Sequence, residues 1–401
     1  MTAVVWGFFI GQPEVAVIRT ITVLVIACPH ALGLAIPLVV SIATERAARG
    51  GVLIKDRLAL ESMRTVGAVL FDKTGTLTKG EPTVTAVAAT GAHSEDEVLA
   101  IAAAAESDSE HPLAKAIVDA ARRRGLTVPA SSDFTSSPAV GVTARVDGRT
   151  VRVGGPRLIE EAGLAELTEA EVWRDEGAII LHVLVNGAVA GALALADEVR
   201  AESRQAVDAL HKLGIQVVMI TGDARTVAES VAAQLGIDRV FAGVRPEDKA
   251  AKVAQLQDEG LCGRRGGRQT VAMVGDGVND APAIAAAAAE GGVGIAIGAG
   301  TDVAIASAGV ILASSDPRSV LSVIQLSKAS YRKMKQNLWW AAGYNLISVP
   351  LAAGVLAPIG FVMPMSVGAI LMSISTVVVA LNAQLLRRLD LRPEASVQAI
   401  L

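Results

Sequence analysis

Long apolar runs at both ends of this chain flank a mixed central region. Residues 15–42 contain one charge, Arg19, and about 20 apolar residues suffice to span a bilayer as a helix. Residues 338–357 and 363–386 also reach that length. Residues 2–11 are too short to span alone, so they are expected to end a membrane helix or to form part of a hairpin. The pattern therefore predicts three complete transmembrane helices.

Basic residues mark one side of these predicted helices. Three clusters, residues 46–57, 332–335 and 387–392, follow the first helix, precede the second and follow the third. Because cytoplasmic segments carry an excess of Lys and Arg, these three positions are predicted to be cytoplasmic. Residues 44–60 are predicted to form a helical stalk between the membrane and a cytoplasmic region.

The central region alternates short apolar runs with amphipathic helical patterns, which favours a doubly wound parallel sheet. Three runs, residues 68–71, 217–220 and 270–274, each lead into a polar turn. Because the carboxyl ends of parallel strands meet at one edge, these turns are expected to converge. Asp72 follows the first run, and a carboxylate there is suited to attack a phosphoryl group and form an aspartyl phosphate.

Residues 82–192 interrupt this sheet with signals of their own. Helices are predicted near residues 96–105 and 112–124, and alternating strands near residues 140–153 and 179–189. The insertion is therefore predicted to be a separate α+β domain.

Composition supports a membrane protein. Hydrophobic residues make up 52% and charged residues 19% of the 401 residues, with a mean hydropathy of +0.47. A net charge of −4 gives no indication of a nucleic-acid partner. The two cysteines, Cys28 and Cys262, do not form a disulfide framework, and no function is assigned to Cys262 in its glycine-rich loop.

The first predicted membrane helix contains Cys28, Pro29, His30 and Pro37. Prolines kink a membrane helix and expose backbone carbonyls. Ionisable side chains in the membrane core are costly, so Cys28 and His30 are candidate metal ligands. Sulfur together with imidazole suits copper and also zinc, while simple helix packing is the alternative.

Several separated motifs occur in one order along the chain. They are Asp-Lys-Thr-Gly-Thr at residues 72–76, Thr-Gly-Asp at 221–223, Lys249 after Arg-Pro-Glu-Asp, and Gly-Asp-Gly-Val-Asn-Asp at 275–280. The set resembles the haloacid dehalogenase superfamily and, within it, the P-type ATPases. Cys-Pro-His at residues 28–30 resembles the membrane signature of heavy-metal P-type ATPases, in the variant associated with copper.

The resemblance implies site residues as well as a fold. The implied phosphorylation site consists of Asp72, Lys73, Thr74, Thr221, Gly222, Asp223, Lys249, Asn279 and Asp280. The implied Mg²⁺ ligands are Asp72, the Thr74 carbonyl and Asp276. The implied ATP-binding residues are Glu106, His111, Pro112, Gly141 and Gly154. One departure is Ala139, where the family often has the first glycine of Gly-x-Gly.

The carboxyl-terminal helices carry further motifs of the Cys-Pro-His subgroup. The implied ligands of the transported ion are Cys28, His30, Tyr344, Asn345, Met372 and Ser373. Ser375 offers another oxygen on the same helix as Ser373, although small polar residues also hold membrane helices together.

The resemblance covers nearly the whole chain and predicts an order of domains. Membrane segments with the metal helix (1–43) and a stalk (44–64) precede the phosphorylation domain (65–81 and 193–330). The nucleotide-binding domain (82–192) interrupts it, with residues 197–200 as the return hinge. Two membrane helices (331–388) and a cytoplasmic tail (389–401) follow.

These features together predict an integral protein of a bacterial plasma membrane that exports a heavy-metal ion, copper first, with ATP and Mg²⁺. Zinc, cadmium and silver are the alternative transported ions, and the direction of transport is implied by the resemblance alone. The sequence lacks the Thr-Gly-Glu motif of the family's actuator domain, so a partial pump is expected, with a missing amino-terminal half or a metallochaperone as partner. A membrane-anchored phosphatase and a non-catalytic partner of a complete pump are the alternatives.

Overall fold

The computed structural model describes residues 1–28, 30–91, 93–137, 140–259, 270–298 and 301–401. Pro29, Ala139 and Cys262 lie outside the described residues, so the statements made for them stay predictions. The chain divides into two compact units. The membrane unit is Met1–Thr65, Gly309–Ala313 and Ser319–Ala399, and the headpiece unit is Val66–Ala308, Ser314–Arg318 and Ile400–Leu401.

Thirteen strands lie in the described residues, and they range from three to twelve residues in length. In chain order they are β1 Val52–Ile54, β2 Val66–Asp72, β3 Thr78–Ala89, β4 Ser131–Ser137, β5 Gly141–Val146, β6 Arg149–Gly154, β7 Ile179–Val185, β8 Ala188–Val199, β9 Gln216–Ile220, β10 Arg239–Phe241, β11 Thr270–Gly275, β12 Val293–Ile297 and β13 Val310–Leu312.

The helices range from single turns to one of 35 residues. In chain order they are α1 Thr2–Val4, α2 Pro13–Ile26, α3 His30–Ala35, α4 Pro37–Arg49, α5 Arg57–Ser62, α6 Glu95–Ala105, α7 Pro112–Arg123, α8 Pro156–Ala162, α9 Thr168–Asp175, α10 Ala201–Lys212, α11 Arg225–Leu235, α12 Lys249–Asp258, α13 Ala281–Ala289, α14 Asp302–Ser307, α15 Ser319–Ala353, α16 Met365–Gln384 and α17 Pro393–Gln398.

The headpiece unit contains a parallel sheet with strand order β12-β11-β2-β9-β10. Every residue of β2 is buried, because a parallel strand in the middle of a sheet is covered on both faces. Helices α10, α11, α12 and α13 pack against this sheet. The predicted doubly wound parallel sheet is confirmed, with β11 and β9 directly beside β2.

The predicted α+β insertion is also confirmed. A six-stranded antiparallel sheet of order β3-β8-β7-β6-β5-β4 forms it together with α6 and α7. Its core consists mainly of Ala, Val, Leu and Ile, including the fully buried Leu99 and Ile117. Because β3 follows the turn after β2, the insertion begins directly at the carboxyl edge of the parallel sheet.

The membrane unit differs from the prediction in its first helix and in its stalk. The predicted helix over residues 15–42 is divided into α2, α3 and α4, and α4 begins at Pro37, which lacks the N–H that a continuous helix needs. The stalk over residues 44–60 is not one helix, because α4 ends before Gly50 and Gly51. Gly51 has a φ of +74°, and strand β1 and helix α5 follow it.

The structure supports two of the three predicted membrane spans. Among the described residues, Pro13–Arg49 and Met365–Arg388 are helical stretches long and apolar enough to cross a membrane. The span predicted over residues 338–357 is shorter than expected, because α15 ends at Ala353. Its apolar part is therefore roughly 24 Å long, less than the about 30 Å of a hydrocarbon core.

Candidate active site and candidate ion ligands

The carboxyl end of β2 holds the predicted nucleophile. The strand ends at Asp72, whose side chain is buried, and the chain then turns sharply through Lys73–Leu77. The Thr74 amide donates to Asp72 Oδ2 at 3.0 Å. Gly75 has a φ of +75°, which glycine adopts without strain. The turn therefore fixes the Asp72 carboxylate where the sequence places it.

One lysine holds two of the carboxylates at this edge. Lys249 begins α12, and its Nζ lies 2.6 Å from Asp72 Oδ1 and 2.7 Å from Asp280 Oδ1. All three side chains are buried. Burial alone would lower the pKa of Lys249, but the two carboxylates outweigh it and raise that pKa. Lys249 therefore stays charged and links the end of β2 to the segment after β11.

A third carboxylate completes a candidate divalent-cation site. Oxygen atoms of Asp72, Asp276 and Asp280 lie within 4.8 Å of one another. Gly75 makes this approach possible, because a Cβ at that position would lie 1.9 Å from Asp276 Oδ2. Carboxylate oxygens are the ligands that Mg²⁺ prefers, so the side chains present suit this ion.

The charge balance at this edge favours a bound cation. Burial, followed by the charge of Asp280, raises the pKa of Asp72 to about 7 in spite of Lys249. Burial and the same Asp280 charge also raise the pKa of Asp276. Three carboxylates thus share one buried lysine, and a divalent cation would offset the remaining negative charge.

The loop after β9 supplies the other predicted phosphate contacts. Thr221 is buried, and its Oγ1 accepts from the Asp223 amide at 3.1 Å, which leaves its O–H available to donate to a phosphate oxygen. Lys73 forms an ion pair with Asp223. Lys73 therefore joins two turns at the sheet edge. Gly222 lines the same cleft, and a Cβ there would make only an ordinary contact.

These residues line a cleft of about 620 Å³. Asn279 is exposed on its wall. Arg200 also lines the cleft, and it donates to the carbonyls of Thr78 at 3.0 Å and Gly75 at 3.3 Å. The sequence assigns Arg200 only to the hinge of residues 197–200. Arg200 lies where the chain returns from the insertion to the sheet, and this position in the sequence is the feature that could have indicated its contacts with the turn after β2.

The predicted nucleotide-binding residues occupy the ends of α6 and α7. Glu106 directly follows α6, and burial raises its pKa to about 7 although a hydrogen bond with Ser109 opposes the shift. His111 precedes Pro112, the first residue of α7. The His111 Nδ1 accepts from the Leu113 amide at 3.2 Å, which makes Nε2 the nitrogen that carries the proton. An exposed N–H donor therefore stands at this helix end.

Gly141 and Gly154 lie opposite each other on β5 and β6. A Cβ on Gly141 would lie 2.1 Å from the Val153 carbonyl oxygen, and one on Gly154 would lie 2.0 Å from that of Val140. The approach of the two strands therefore requires both glycines, whether or not a nucleotide is bound. Their contact with a nucleotide stays a prediction.

The membrane unit brings Cys28 and His30 near each other. Cys28 Sγ lies 3.9 Å from His30 Nε2, and both side chains are exposed. Helix α3, which begins at His30, packs against α15 and α16 through alanines and Val379. No hydrogen bond among the described residues joins Cys28 or His30 to the predicted ligands on α15 and α16.

Two of the remaining predicted ligands already have hydrogen bonds. The Tyr344 hydroxyl donates to a backbone carbonyl of α16 at 3.4 Å, and Ser373 donates to the carbonyl four residues earlier at 3.0 Å. Asn345 and Met372 are half-buried. The Tyr344 hydrogen bond connects α15 to α16, which fits the alternative in which polar side chains hold membrane helices together, whereas that of Ser373 stays within α16.

Ser375 behaves differently from Ser373. It is 2% exposed, and its hydroxyl has no hydrogen-bond partner in the described part of the chain. A buried hydroxyl without a partner is unfavourable, and a bound ion would satisfy it. The Ser-x-Ser spacing places Ser375 beside Ser373 in sequence, but helical geometry turns the two side chains to different faces.

Comparison with known proteins agrees with this arrangement. A family model described as haloacid dehalogenase-like hydrolase matches residues 66–288. The copper-exporting P-type ATPase B of Archaeoglobus fulgidus is 49% identical over 387 residues, which cover 96% of this chain and 54% of that protein. The chain therefore spans about half the length of the curated relatives it matches.

Solved structures show the same architecture. A zinc-transporting PIB-type ATPase in its E2.Pi state matches with a TM-score of 0.82 and 33% identity, over 96% of this chain and 60% of that one. The catalytic domain of the CPx-ATPase CopB-B matches with a TM-score of 0.55 and 28% identity, over 71% of this chain and 98% of that one.

Proposed function

Because the chain belongs to the haloacid dehalogenase-like hydrolases and, within them, to the P-type ATPases, we propose that it couples ATP to heavy-metal transport through an aspartyl phosphate. The observation that carries this proposal is the buried Lys249 bridging Asp72 and Asp280 at the edge of the parallel sheet. A carboxylate held by a lysine in a cleft lined by donors is suited to in-line phosphoryl transfer.

In the proposed reaction, an oxygen of Asp72 forms a bond to the γ-phosphorus of ATP. The bond between that phosphorus and the β,γ-bridging oxygen breaks, and ADP leaves with the electron pair. Lys249 and Thr221 donate to the transferring phosphoryl oxygens. Asp72, Asp276 and the Thr74 carbonyl would hold Mg²⁺, which would neutralise part of the phosphate charge.

The insertion is proposed to hold the adenosine end of ATP. Glu106, with its raised pKa, and the His111 Nε2–H lie at neighbouring helix ends and offer hydrogen-bond donors or acceptors in a partly dry site. Pro112 fixes the start of α7, which keeps His111 in its extended capping conformation. Gly141 and Gly154 let the backbones of β5 and β6 approach each other, and they leave the backbone there uncovered by side chains.

The proposed cargo is copper, bound first by Cys28 and His30. The relative from Archaeoglobus fulgidus is named as copper-exporting, while the solved zinc transporter keeps zinc as the alternative ion. Sulfur and imidazole ligands suit both metals. Transport is proposed to run out of the cytoplasm across a bacterial plasma membrane, with the headpiece unit on the cytoplasmic side.

Formation of a phosphoenzyme tests this proposal. Membranes that hold the chain are incubated with γ-labelled ATP and Mg²⁺, with and without copper, beside Asp72→Asn and Cys28→Ala. We expect an acid-stable label in the parent, none in Asp72→Asn, and a loss of copper dependence in Cys28→Ala. Asp208→Asn is the matched control, because Asp208 is half-buried and its ion-pair partner among the described residues is Arg204 on the same helix, α10.

A folded parent that takes no label would contradict the proposed phosphorylation. Hydrolysis of p-nitrophenyl phosphate that needs neither ATP nor metal would instead favour a membrane-anchored phosphatase. A label that forms without any influence of copper or zinc would contradict the assigned cargo.

We propose further that dephosphorylation depends on an actuator segment that carries Thr-Gly-Glu, a motif this sequence does not contain. The label on Asp72 should then persist after a chase with unlabelled ATP. Metal uptake into vesicles by this chain alone would refute this part of the proposal.

A further inference from the structure

A buried arginine lies in the helix that leads to the candidate ion ligands. Arg19 on α2 is 7% exposed, and its Nε and Nη1 have no hydrogen-bond partner in the described residues. No ion pair among those residues includes it. A buried charge without a counter-ion is costly, so its retention in an apolar helix suggests that the charge itself is used.

The surroundings of Arg19 are built to hold the guanidinium in place. Its Cζ lies 3.6 Å from the centre of the Trp6 ring, and the Trp6 indole nitrogen donates to the Ala353 carbonyl at 2.8 Å. Gly354 has a φ of +88°, which favours glycine, and a Cβ there would lie 1.2 Å from Arg19 Nη1, so the guanidinium packs directly against this glycine. Stacking on an indole stabilises a cation without neutralising it.

We propose that Arg19 is a fixed positive charge that makes the Cys28/His30 site disfavour divalent relative to monovalent ions. This inference rests on the proposed function of that site. The charge is positioned by Trp6 and Gly354 and acts on the ion through space. Arg19 is thus a specificity-determining residue that does not touch the ion.

The expected size of the effect follows from helix geometry. Cys28 lies nine positions after Arg19, and α2 covers this interval as far as Ile26, so the two residues are on the order of 13 Å apart along the chain axis. At an effective dielectric constant of about 20, a unit charge at that distance weakens ion binding about eight-fold per unit of ion charge. The protonation state of the Cys28 sulfur before binding affects the affinities for both ions by the same factor. The ratio of the two affinities therefore reports Arg19 alone.

The test measures Ag⁺ and Zn²⁺ binding to the full chain in nanodiscs of neutral phosphatidylcholine. Binding that survives in Cys28→Ala is subtracted, which removes the contribution of the carboxylates at the sheet edge. We expect Arg19→Gln to improve Zn²⁺ affinity relative to Ag⁺ about eight-fold. Arg19→Lys keeps the charge, so it should change the ratio less than two-fold.

Two outcomes would overturn the inference. One is an unchanged ratio in Arg19→Gln, which includes an equal shift of both affinities. The other is an equal change of the ratio in Arg19→Gln and Arg19→Lys, which would indicate packing. If Cys28→Ala leaves all binding intact, the proposed ion site fails instead, so the two failures are distinguishable.

Discussion

The sheet edge around Asp72 and the ligand set around Cys28 differ in how far the chain has assembled them. At the sheet edge, Asp72, Lys249 and Asp280 are buried and joined by contacts of 2.6 and 2.7 Å. In the membrane unit, Cys28 and His30 are exposed and 3.9 Å apart. One set of side chains is buried and joined by short ion pairs, and the other is exposed and joined by a single long contact.

The difference follows from how each scaffold positions side chains. Adjacent parallel strands end at one edge, so the backbone hydrogen bonds of the sheet fix where Asp72, Thr221 and Asp276 lie. Membrane helices pack through small residues, and their polar side chains bond to nearby backbone carbonyls, so the helix packing alone does not direct them to one point. We therefore expect substitutions at the sheet edge to have the larger effects.

The largest effect is expected from Lys249→Met. The change leaves the buried Asp72 and Asp280 carboxylates without their cation, which typically costs about 3–5 kcal/mol. It also removes a donor to the phosphoryl group. We expect labelling from ATP to fall more than 100-fold and the unfolding temperature of the headpiece unit to drop, with partial recovery in Mg²⁺.

Lys252→Met on the same helix is the matched control, because Lys252 donates to Gln255 and lies over the Phe241 ring, away from the carboxylates of the sheet edge. It should retain labelling and thermal stability. Normal labelling in Lys249→Met would mean that the sheet edge does not depend on this bridge.

A second strong effect is expected from Gly75→Ala. The new Cβ would lie 1.9 Å from Asp276 Oδ2, so the turn or the carboxylate must move. We expect Mg²⁺-dependent labelling to fall about 100-fold. Gly148→Ala separates this collision from backbone strain, because Gly148 has the same φ of +75° and no atom within 4 Å of its Cβ position.

Gly148→Ala should cost about 1 kcal/mol of stability and leave labelling intact. The measurement is phosphoenzyme yield against Mg²⁺ concentration for both variants. An equal loss in the two would show that backbone strain, and not the approach of Asp276, explains the need for Gly75.

The sheet edge is also the region that the sequence predicts best. Apolar runs that end in polar turns locate Asp72 and Thr221, because strand ends and turn residues are local properties of the chain. The sequence places Arg200 in the hinge but does not predict its contacts, since these involve carbonyls more than 100 residues earlier in the chain. It offers Ser375 as a candidate oxygen but does not predict that this serine is buried, because burial of one face of α16 depends on its neighbours.

The membrane unit was predicted less well for a related reason. The prolines at positions 29 and 37 predict kinks, but sequence alone does not distinguish a kinked helix from separate helices. The glycine pair at residues 50–51 ends α4 in the middle of the predicted stalk. The strand after it forms because residues 310–312 pair with it, and this long-range contact leaves no local pattern.

A smaller, pH-dependent effect is expected at Glu106. Its pKa of about 7 in the folded chain exceeds the ordinary value of 4.5, so the folded state keeps a proton that the unfolded state loses. The contribution of Glu106 to the free energy of unfolding is complete below pH 4.5 and decreases by about 3 kcal/mol as the pH rises to about 7. Glu106→Gln removes this loss.

Hydrogen–deuterium exchange of residues 95–123 measures this effect locally. At pH 8 we expect slower exchange in Glu106→Gln than in the parent, after correction for the intrinsic rates, and equal exchange at pH 4. Glu110→Gln is the matched control, since Glu110 is exposed. Equal pH profiles for Glu106→Gln and the parent would contradict a raised pKa at this position.

The smallest effect is expected from the serines of α16, and it bears on the less complete region. Ser375 is buried and has no hydrogen-bond partner among the residues the structure describes, whereas Ser373 is exposed and bonded to its own helix. If an ion draws the ligands together, it gains the Ser375 oxygen without breaking another bond. Ser375→Ala should then weaken Ag⁺ binding to the full chain about three- to ten-fold, the equivalent of about 1 kcal/mol. Ser373→Ala should change it less than two-fold. The reverse order would assign the ion to the Ser373 face of α16 and leave Ser375 as a packing residue.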